Sequence, residues 1–213
     1  MGGQDCGEQT QLIEGARALG VSLDAADAER MLRLLDELAR WNRTYNLTAI
    51  TQRAEMITHH LLDSLSVHGD LHGRAIADVG TGAGFPGLPL AIVNGDRQFT
   101  LIDSNNKKVR FVAHAVRTLS LTNVTVLHAR VESLHPPAPF DTVIARAFAP
   151  LPELLEKVVS LCSPGTRILA MKGRRPDEEL AAIPAGWRLA ETRPLTIPGL
   201  NEARTLVVVE RTG

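Results

Sequence analysis

The hydrophobic pattern of the chain changes near residue 70. Before that point, apolar positions recur every three or four residues, first behind a possible helix cap at Asp24 and then between residues 53 and 67. This spacing places the apolar side chains on one face of each helix. The expected buried positions are Met31, Leu34, Leu35, Leu38, Trp41 and Tyr45 in the first helix, and Ile57, Leu61 and Leu65 in the second.

From Gly73 onward, short β-rich runs alternate with helical ones. The β-rich runs are AIADVG (75–80), QFTLID (98–103), NVTVLHA (123–129), FDTVIAR (140–146) and RILAMKG (167–173). This alternation indicates βαβ units and a parallel sheet that helices cover on both faces. Two last runs, at 187–195 and 204–210, predict a terminal β-hairpin with an antiparallel strand. We therefore expect a helical extension over residues 1–70 and an α/β domain over residues 71–213.

Composition narrows the classes of protein. Hydrophobic residues make up 44% of the 213 positions, which allows a sizeable core. The net charge of −1 excludes attraction to nucleic acid by the whole surface, so any RNA contact must come from local basic patches. Cys6 and Cys162 have no metal-binding spacing, and no apolar run has the length of a membrane span. We expect a cytoplasmic protein without a metal site.

A glycine-rich turn after the first β-run is the main candidate for chemistry. It reads DVGTGAGFPG over residues 78–87 and precedes a helical run. Glycines at 80, 82 and 84 allow a sharp turn and a close approach of the backbone to a ligand. Asp103, which ends the next β-run, can accept hydrogen bonds from both hydroxyls of an adenosine ribose. The turn and Asp103 together predict a site for an adenosine-containing ligand.

Two classes of ligand suit this turn, and Asp78 favours one of them. The segment GAGFPG fits the dinucleotide pattern GxGxxG, but counted from Gly80 the third glycine is replaced by Phe85. The charge of Asp78 would repel a pyrophosphate and attract the ammonium or sulfonium of S-adenosylmethionine. We therefore expect Asp78, Gly80, Gly82 and Gly84 to bind S-adenosylmethionine. A nicotinamide-dependent oxidoreductase is the alternative, although no lysine follows Tyr45 at the spacing of a Tyr-x-x-x-Lys pair.

Motifs along the chain add a more specific pattern. They are WNRTYNLTAI (41–50), HHLLDSL (59–65), DVGTGAGFPGLPLAI (78–92), LIDSNNKKVRF (101–111), ARVE (129–132), IARAF (144–148), MKG (171–173) and RTLVVV (204–209). With these motifs, the chain from about residue 30 resembles the ribosomal RNA small-subunit methyltransferase G family, also called glucose-inhibited division protein B. The first 20 residues do not share the resemblance, and we assign them no role.

The resemblance implies a fold, a reaction and a set of donor-site residues. The fold is that of the class I S-adenosylmethionine-dependent methyltransferases, with a Rossmann-like and mostly parallel sheet of seven strands. The reaction is N7 methylation of a guanosine in 16S rRNA, within the 30S subunit or an assembly intermediate. The donor-site positions that match the family are Gly80, Phe85, Val131, Glu132 and Arg146. Asp103 matches the ribose carboxylate only through the general pattern of the class.

The residues themselves agree with an N7 acceptor. The slot after the fourth β-run reads Ala145-Arg146-Ala147-Phe148, which lacks the Asn/Asp-Pro-Pro-aromatic motif common among exocyclic-amine methyltransferases. No cysteine stands at the core strand ends for attack on a pyrimidine ring. Guanine N7 carries a free lone pair and loses no proton, so catalysis reduces to alignment of the reacting atoms.

Arg146 is the candidate catalytic residue, because its planar donors can hold guanine O6 or a flanking phosphate. The alternative is a structural pair with an acid such as Glu132. Phe148 can either stack on the base or belong to the core. His59 and His60 flank Asp63, and we expect them to dock the helix because no third metal ligand follows at a fixed spacing.

Three groups of basic residues are candidates for RNA contact. Lys172, Arg174 and Arg175 follow the fifth β-run, on the ligand-binding edge of an open α/β sheet, and are favoured for phosphate binding. Lys107, Lys108 and Arg110 can equally belong to a solvated surface, and the sequence leaves the role of Arg40, Arg43 and Arg53 open. Asn42 and Asn46 can either cap a helix or bind RNA. A methyltransferase acting on a small molecule or protein and an inactive RNA adaptor remain open alternatives. We expect a monomer without an obligate protein partner.

Overall fold

A computed structural model describes residues 2–213 of the chain, with side chains from residue 7 onward. The N-terminal part is helical, as expected. It contains α1 (Gly2–Ala18), α2 (Ala25–Tyr45), and a continuous stretch formed by α3 (Arg53–Met56), a π-helical turn (Ile57–Leu62) and α4 (Asp63–Leu65). Helix α1 lies within the predicted helical extension, but the sequence did not single it out, because its apolar positions are few and irregularly spaced.

Helix α2 begins where the sequence predicts. The side chain of Asp24 accepts a hydrogen bond from the backbone N–H of Asp27 at 2.7 Å, which caps the first turn. The predicted stripe is buried from Met31 to Leu38, whereas Trp41 and Tyr45 lie at the margin of the core. The apolar face of α2 therefore points into the protein along its whole length.

Asn42 and Asn46 end helix α2 rather than face solvent freely. Asn46 has a φ of +49° and caps the helix, with its N–H donating to the carbonyl of Asn42. The side chain of Asn42 exchanges two hydrogen bonds of 2.9 Å with the backbone of Thr48. Arg53, in one of the ambiguous basic groups, pairs with Glu8 and Asp36. These residues thus have structural roles in fixing the start of the next helical stretch.

Seven strands of the described chain form one sheet in the order β3-β2-β1-β4-β5-β7-β6. Their bounds are β1 (Ala75–Val79), β2 (Gln98–Asp103), β3 (Val124–His128), β4 (Thr142–Arg146), β5 (Arg167–Lys172), β6 (Trp187–Pro194) and β7 (Thr205–Arg211). Strands β1 to β5 are parallel, and β7 runs antiparallel between β5 and β6. The mostly parallel sheet and its terminal antiparallel hairpin are both confirmed.

The helices of the α/β part cover the two faces of this sheet. They are α5 (Gly87–Val93), α6 (Asn106–Thr118), α7 (Leu151–Val158) and α8 (Asp177–Ala181). Alternate strand residues point to opposite faces. Ile76, Leu101 and Ile144 join a cluster with α5, α6 and the N-terminal helices, whereas the neighbouring Ala77, Ile102 and Val143 join a cluster with α7. Helices thus bury both faces, which suits a parallel sheet.

The N-terminal helices share a hydrophobic cluster with the sheet. Leu12 of α1, Leu35 of α2 and Leu61 of the π-helical turn are fully buried in it, together with Phe99 and Phe111. Helix α2 packs on α5 and α6, and α4 packs on α5. The boundary near residue 70 falls shortly before β1, and the division into two domains stays a prediction. No helix within residues 2–213 is both long enough and apolar enough to cross a membrane.

We expect Leu35→Ala to lower the free energy of unfolding by about 2–5 kcal/mol, because it leaves a cavity in this shared cluster. Chemical denaturation followed by circular dichroism measures the change. Leu189→Ala, at a side chain that is 39% exposed on β6, is the control and should cost less than about 1 kcal/mol. Equal losses in the two variants would contradict the assignment of α2 to the main core.

Candidate active site

Two adjoining cavities lie at the edge of the sheet where the parallel strands end. The first, here called the loop cavity, has a volume of about 330 Å³ and is lined by Gly80 of the glycine-rich turn and by the end of β2 and the segment after β3. The second, here called the arginine cavity, has a volume of about 390 Å³ and is lined by residues that include Arg146 and Arg204. Ala147 lines both cavities, so they meet at the end of β4.

The backbone of Ala147 separates the residues that serve the two cavities. Its φ of +50° is uncommon for a residue with a side chain. Arg146, before it, lines the arginine cavity, whereas Phe148, after it, lines the loop cavity. A turn at this one residue therefore divides the candidate residues of the IARAF motif between two binding spaces.

The glycine-rich turn needs its glycines for conformation and for space. Gly80, Gly82 and Gly84 all have positive φ, between +61° and +88°, which side chains rarely allow. A Cβ on Gly80 would also lie 2.3 Å from a ring carbon of Phe148. Of the three glycines, Gly80 lines the loop cavity, and Gly82 and Gly84 do not. Their contact with a ligand stays a prediction.

Asp78 holds the turn from inside the protein. Its Oδ2 atom accepts hydrogen bonds from the hydroxyl of Thr81 at 2.6 Å and from the N–H of Gly87 at 2.8 Å. Complete burial raises the pKa of this carboxyl to about 6, although the two hydrogen bonds act in the opposite direction. Its Oδ1 atom is buried and has no hydrogen-bond partner within the described residues. Buried oxygens of this kind are normally bonded to water or a ligand.

Asp103 holds the same turn from the neighbouring strand. Its Oδ2 atom accepts from the N–H of Gly82 at 2.8 Å, and its Oδ1 atom accepts from the N–H of Asn105 at 2.7 Å. The residue also lines the loop cavity. A carboxylate offers about four lone-pair positions, so two of them remain for hydroxyl groups of a ligand. Asp103 therefore lines the loop cavity with lone pairs that these two hydrogen bonds do not use, and its role as ribose acceptor stays a prediction.

Of the remaining predicted donor-site residues, two form the wall of the loop cavity and one supports it, whereas Arg146 lines the arginine cavity instead. Val131 and Glu132 line it, the first buried and the second exposed. Phe85 is buried behind the turn and stacks on His60 at a centroid distance of 4.7 Å. Burial and the charge of Arg146 lower the pKa of His60 to about 4, so this imidazole is neutral at physiological pH. His60 therefore docks its helix onto the turn, which fits the structural role expected for it.

Phe148 also lies on the loop-cavity side. It packs at the margin of the apolar cluster beneath α7, and the ammonium of Lys157 lies 5.6 Å from its ring centroid. Its ring is in close approach to Gly80. Phe148 therefore packs against the core and also forms part of the cavity wall.

Asp63 is the acid that pairs with Arg146, and sequence reasoning had named Glu132 instead. The Arg146 Nη1 atom donates to Asp63 Oδ2 at 2.7 Å and to the carbonyl of His59 at 3.0 Å. The Arg204 Nε atom donates to Asp63 Oδ1 at 3.2 Å. Glu132 lines the other cavity, so it faces a different space.

The basic group after β5 is only partly inside the arginine cavity. Lys172 lines it, and its ammonium donates to Glu179 at 2.7 Å and to the carbonyl of Ala149 at 2.8 Å. Arg175 is exposed and pairs with Asp177 at 2.6 Å, and Arg174 is exposed beside it. The structure thus puts Lys172 at the site and the two arginines on the adjacent turn.

Cys162 lies before the start of β5, away from this edge of the sheet. Burial raises the pKa of the Cys162 thiol to about 12, and its Sγ donates to the carbonyl of Val158 before β5 begins. The side chain of Cys6 lies outside the described residues. Within residues 7–213, no group of three or more His, Cys, Asp and Glu side chains is placed to hold a metal ion.

Solved structures share the fold of this chain at low sequence identity. Magnesium protoporphyrin IX methyltransferase from Synechocystis PCC 6803, solved with bound S-adenosylmethionine, matches with a TM-score of 0.59 and 18% identity over 90% of this chain and 99% of that one. The cyclase SpnF matches with a TM-score of 0.59 and 16% identity over 74% of this chain and 82% of that one. The fold is thus that of the class I methyltransferases, but fold alone does not fix the reaction.

Sequence relatives are far closer. The protein of Xanthomonas axonopodis pv. citri named ribosomal RNA small subunit methyltransferase G is 50% identical over 190 residues, which are 89% of this chain and 90% of the relative. A protein of the same name from Nitrosococcus oceani is 47% identical over 92% of both chains. A family model described as rRNA small subunit methyltransferase G matches residues 27–208. This chain therefore belongs to the rRNA small subunit methyltransferase G family.

Proposed function

We propose that this chain transfers the methyl group of S-adenosylmethionine to N7 of a guanosine in 16S rRNA of the small ribosomal subunit. Membership of the family supports the reaction and the class of substrate. The observation that carries the site assignment is the meeting of the loop cavity and the arginine cavity at Ala147. The loop cavity suits a nucleoside donor and the arginine cavity suits part of a polyanion. A methyl group at their junction can therefore pass from the donor to the RNA.

The loop cavity is the proposed donor site. S-adenosylmethionine, when bound, supplies a methyl group on a sulfonium, which is a good leaving group. Asp103 has free lone pairs for the ribose hydroxyls, and Val131 and Glu132 form the wall beyond it. Asp78 lines neither cavity, but its buried and unpartnered Oδ1 lies at the start of the turn, where an ionised carboxylate attracts positive charge. Gly80, Gly82, Gly84 and Phe85 shape the turn that the donor contacts.

The arginine cavity is the proposed acceptor site, with Arg146 as its catalytic residue. Guanine N7 attacks with its own lone pair, so the chain does not need a base at this point. Its task is to align the base with the donor, an effect worth up to about 7–11 kcal/mol in ideal cases. Arg146 stands at the junction of the cavities, where its free N–H donors can hold guanine O6 or an adjacent phosphate.

Lys172, Arg174 and Arg175 are the proposed phosphate contacts around this cavity. They extend from its wall to the exposed turn after β5, where Lys172 and Arg175 would exchange their pairs with Glu179 and Asp177 for phosphates of an RNA strand. The proposed substrate is 16S rRNA in the 30S subunit or an assembly intermediate. We further propose that the protein acts as a cytoplasmic monomer.

The alternatives from the sequence find less support. A nicotinamide cofactor disagrees with the family and with a buried acid at the turn, whose charge repels a pyrophosphate. A small-molecule acceptor is the chemistry named for one structural neighbour, but that neighbour shares only 18% identity with this chain. An inactive adaptor would not need the glycines and Asp103 in a geometry open to a ligand.

Wild-type protein incubated with labelled S-adenosylmethionine and small subunits from cells lacking it should form one 7-methylguanosine in 16S rRNA. Chemical cleavage at 7-methylguanosine followed by primer extension identifies the position. Arg146→Ala should lower turnover by tenfold or more, while calorimetry finds its affinity for S-adenosylhomocysteine within about threefold of wild type. Absence of labelled 7-methylguanosine with the wild-type protein would refute the proposed function.

The affinity for S-adenosylhomocysteine should fall about tenfold between about pH 7 and pH 5. The reason is that Asp78, with a raised pKa of about 6, takes up a proton as the pH falls through that value and loses the charge that attracts the ligand ammonium. Calorimetric titrations across this range measure the effect. Asp78→Asn should bind more weakly throughout and show no step near pH 6. An identical pH profile in the variant would exclude Asp78 as the titrating group.

A further inference from the structure

We propose that Arg204 binds a phosphodiester of the RNA beside the target guanosine, and that Asp63 is a positioning residue that holds Arg204 and Arg146 side by side. The inference rests on the proposed function and gives Arg204 and Asp63 roles that the sequence analysis did not assign. It starts from one buried carboxylate at the arginine cavity that is shared by two guanidinium groups.

The geometry makes Asp63 the centre of this group. Its side chain is 2% exposed, and each of its oxygens accepts from a different arginine: Oδ2 from Arg146 and Oδ1 from Arg204. The three residues come from α4, the end of β4 and the segment just before β7. A carboxylate from the N-terminal helices thus fixes two cations of the α/β part at the cavity wall.

The local charges leave one positive charge in excess. Asp63 can neutralise one of the two guanidinium groups, and both arginine side chains keep 23% of their surface exposed. Glu202 is 3.9 Å from Arg204 and is 58% exposed, so solvent weakens its contribution. Lys172 is already paired with Glu179. The surplus charge lines a cavity on the proposed RNA side, which fits the single negative charge of a phosphodiester.

The sheet order assigns different tasks to the two arginines. Arg146 follows β4, next to the junction with the loop cavity, and its Nη1 atom already bonds to Asp63 and His59. Arg204 precedes β7, which lies beyond β5 and thus two strands farther from the donor turn. Its Nε and Nη1 atoms are engaged, and a guanidinium has five N–H donors in all. Arg204 is therefore placed for the backbone of the nucleotide, with Arg146 nearer to the base.

The salt dependence of RNA binding tests Arg204 directly. An rRNA fragment containing the modified guanosine is titrated with full-length protein at several salt concentrations, in the presence of S-adenosylhomocysteine. Arg204→Gln should reduce the slope of log affinity against log salt by about 0.7, the value for one phosphate contact on a single strand. The matched control is Arg188→Gln, an exposed arginine on β6 that also pairs with a glutamate, and its slope should equal that of wild type.

An unchanged slope in Arg204→Gln, or an equal decrease in both variants, would overturn the phosphate assignment. This outcome is separate from failure of the proposed function, because the slope is measured on binding and does not depend on methyl transfer. Formation of 7-methylguanosine by the wild-type protein tests the function by itself.

Asp63→Asn tests the positioning role. The variant keeps the shape of the side chain but releases both arginines, so we expect kcat to fall tenfold or more while RNA affinity stays equal or increases. Binding of S-adenosylhomocysteine within twofold of wild type shows that the donor site is still folded. A kcat within twofold of wild type would overturn the positioning role, as would a parallel loss of RNA affinity and donor affinity. Arg204→Gln, at a partly exposed side chain, keeps the phosphate assignment testable if Asp63→Asn is unstable.

Discussion

Two carboxylates at the ends of neighbouring strands hold the glycine-rich turn by accepting its N–H and hydroxyl groups. Asp78 binds Thr81 and Gly87 at the start and end of the turn, and Asp103 binds Gly82 near its middle. Such charge-assisted hydrogen bonds hold in one conformation a turn that its glycines would otherwise leave flexible. The position of Gly80 at the wall of the loop cavity depends on this arrangement.

A third carboxylate, that of Asp63, organises the arginine cavity and comes from outside the α/β part. Asp63 lies on α4, in the helical stretch whose His60 stacks on Phe85. The N-terminal helices therefore contribute to both sides of the candidate site. They support the turn of the proposed donor site through an aromatic contact, and they orient the arginines of the proposed acceptor site through a buried charge. This explains why an extension of the common fold is packed so deeply against it.

Local features could be predicted from the sequence, but ion pairs between distant residues could not. The alternation of runs predicted the sheet, and the spacing of glycines with Asp103 predicted the turn, because both follow from neighbouring residues. The pair between Arg146 and Asp63 joins residues 83 positions apart, and Arg204 lies 141 positions from the same acid. No periodicity marks such contacts, so Glu132 was named instead. Helix α1 was covered only by the general expectation of a helical extension, because it buries few side chains, among them Leu12 and Ala16, and so has no clear apolar stripe.

The shared hydrophobic cluster also couples loosening of the N-terminal helices to the candidate site. Since Leu12, Leu35 and Leu61 are buried with the residues of the sheet, loosening of the N-terminal helices exposes the strands and removes the contact of His60 with Phe85. A molecule with damaged N-terminal helices would then lose the supports of the proposed donor site and of the proposed acceptor site in the same event.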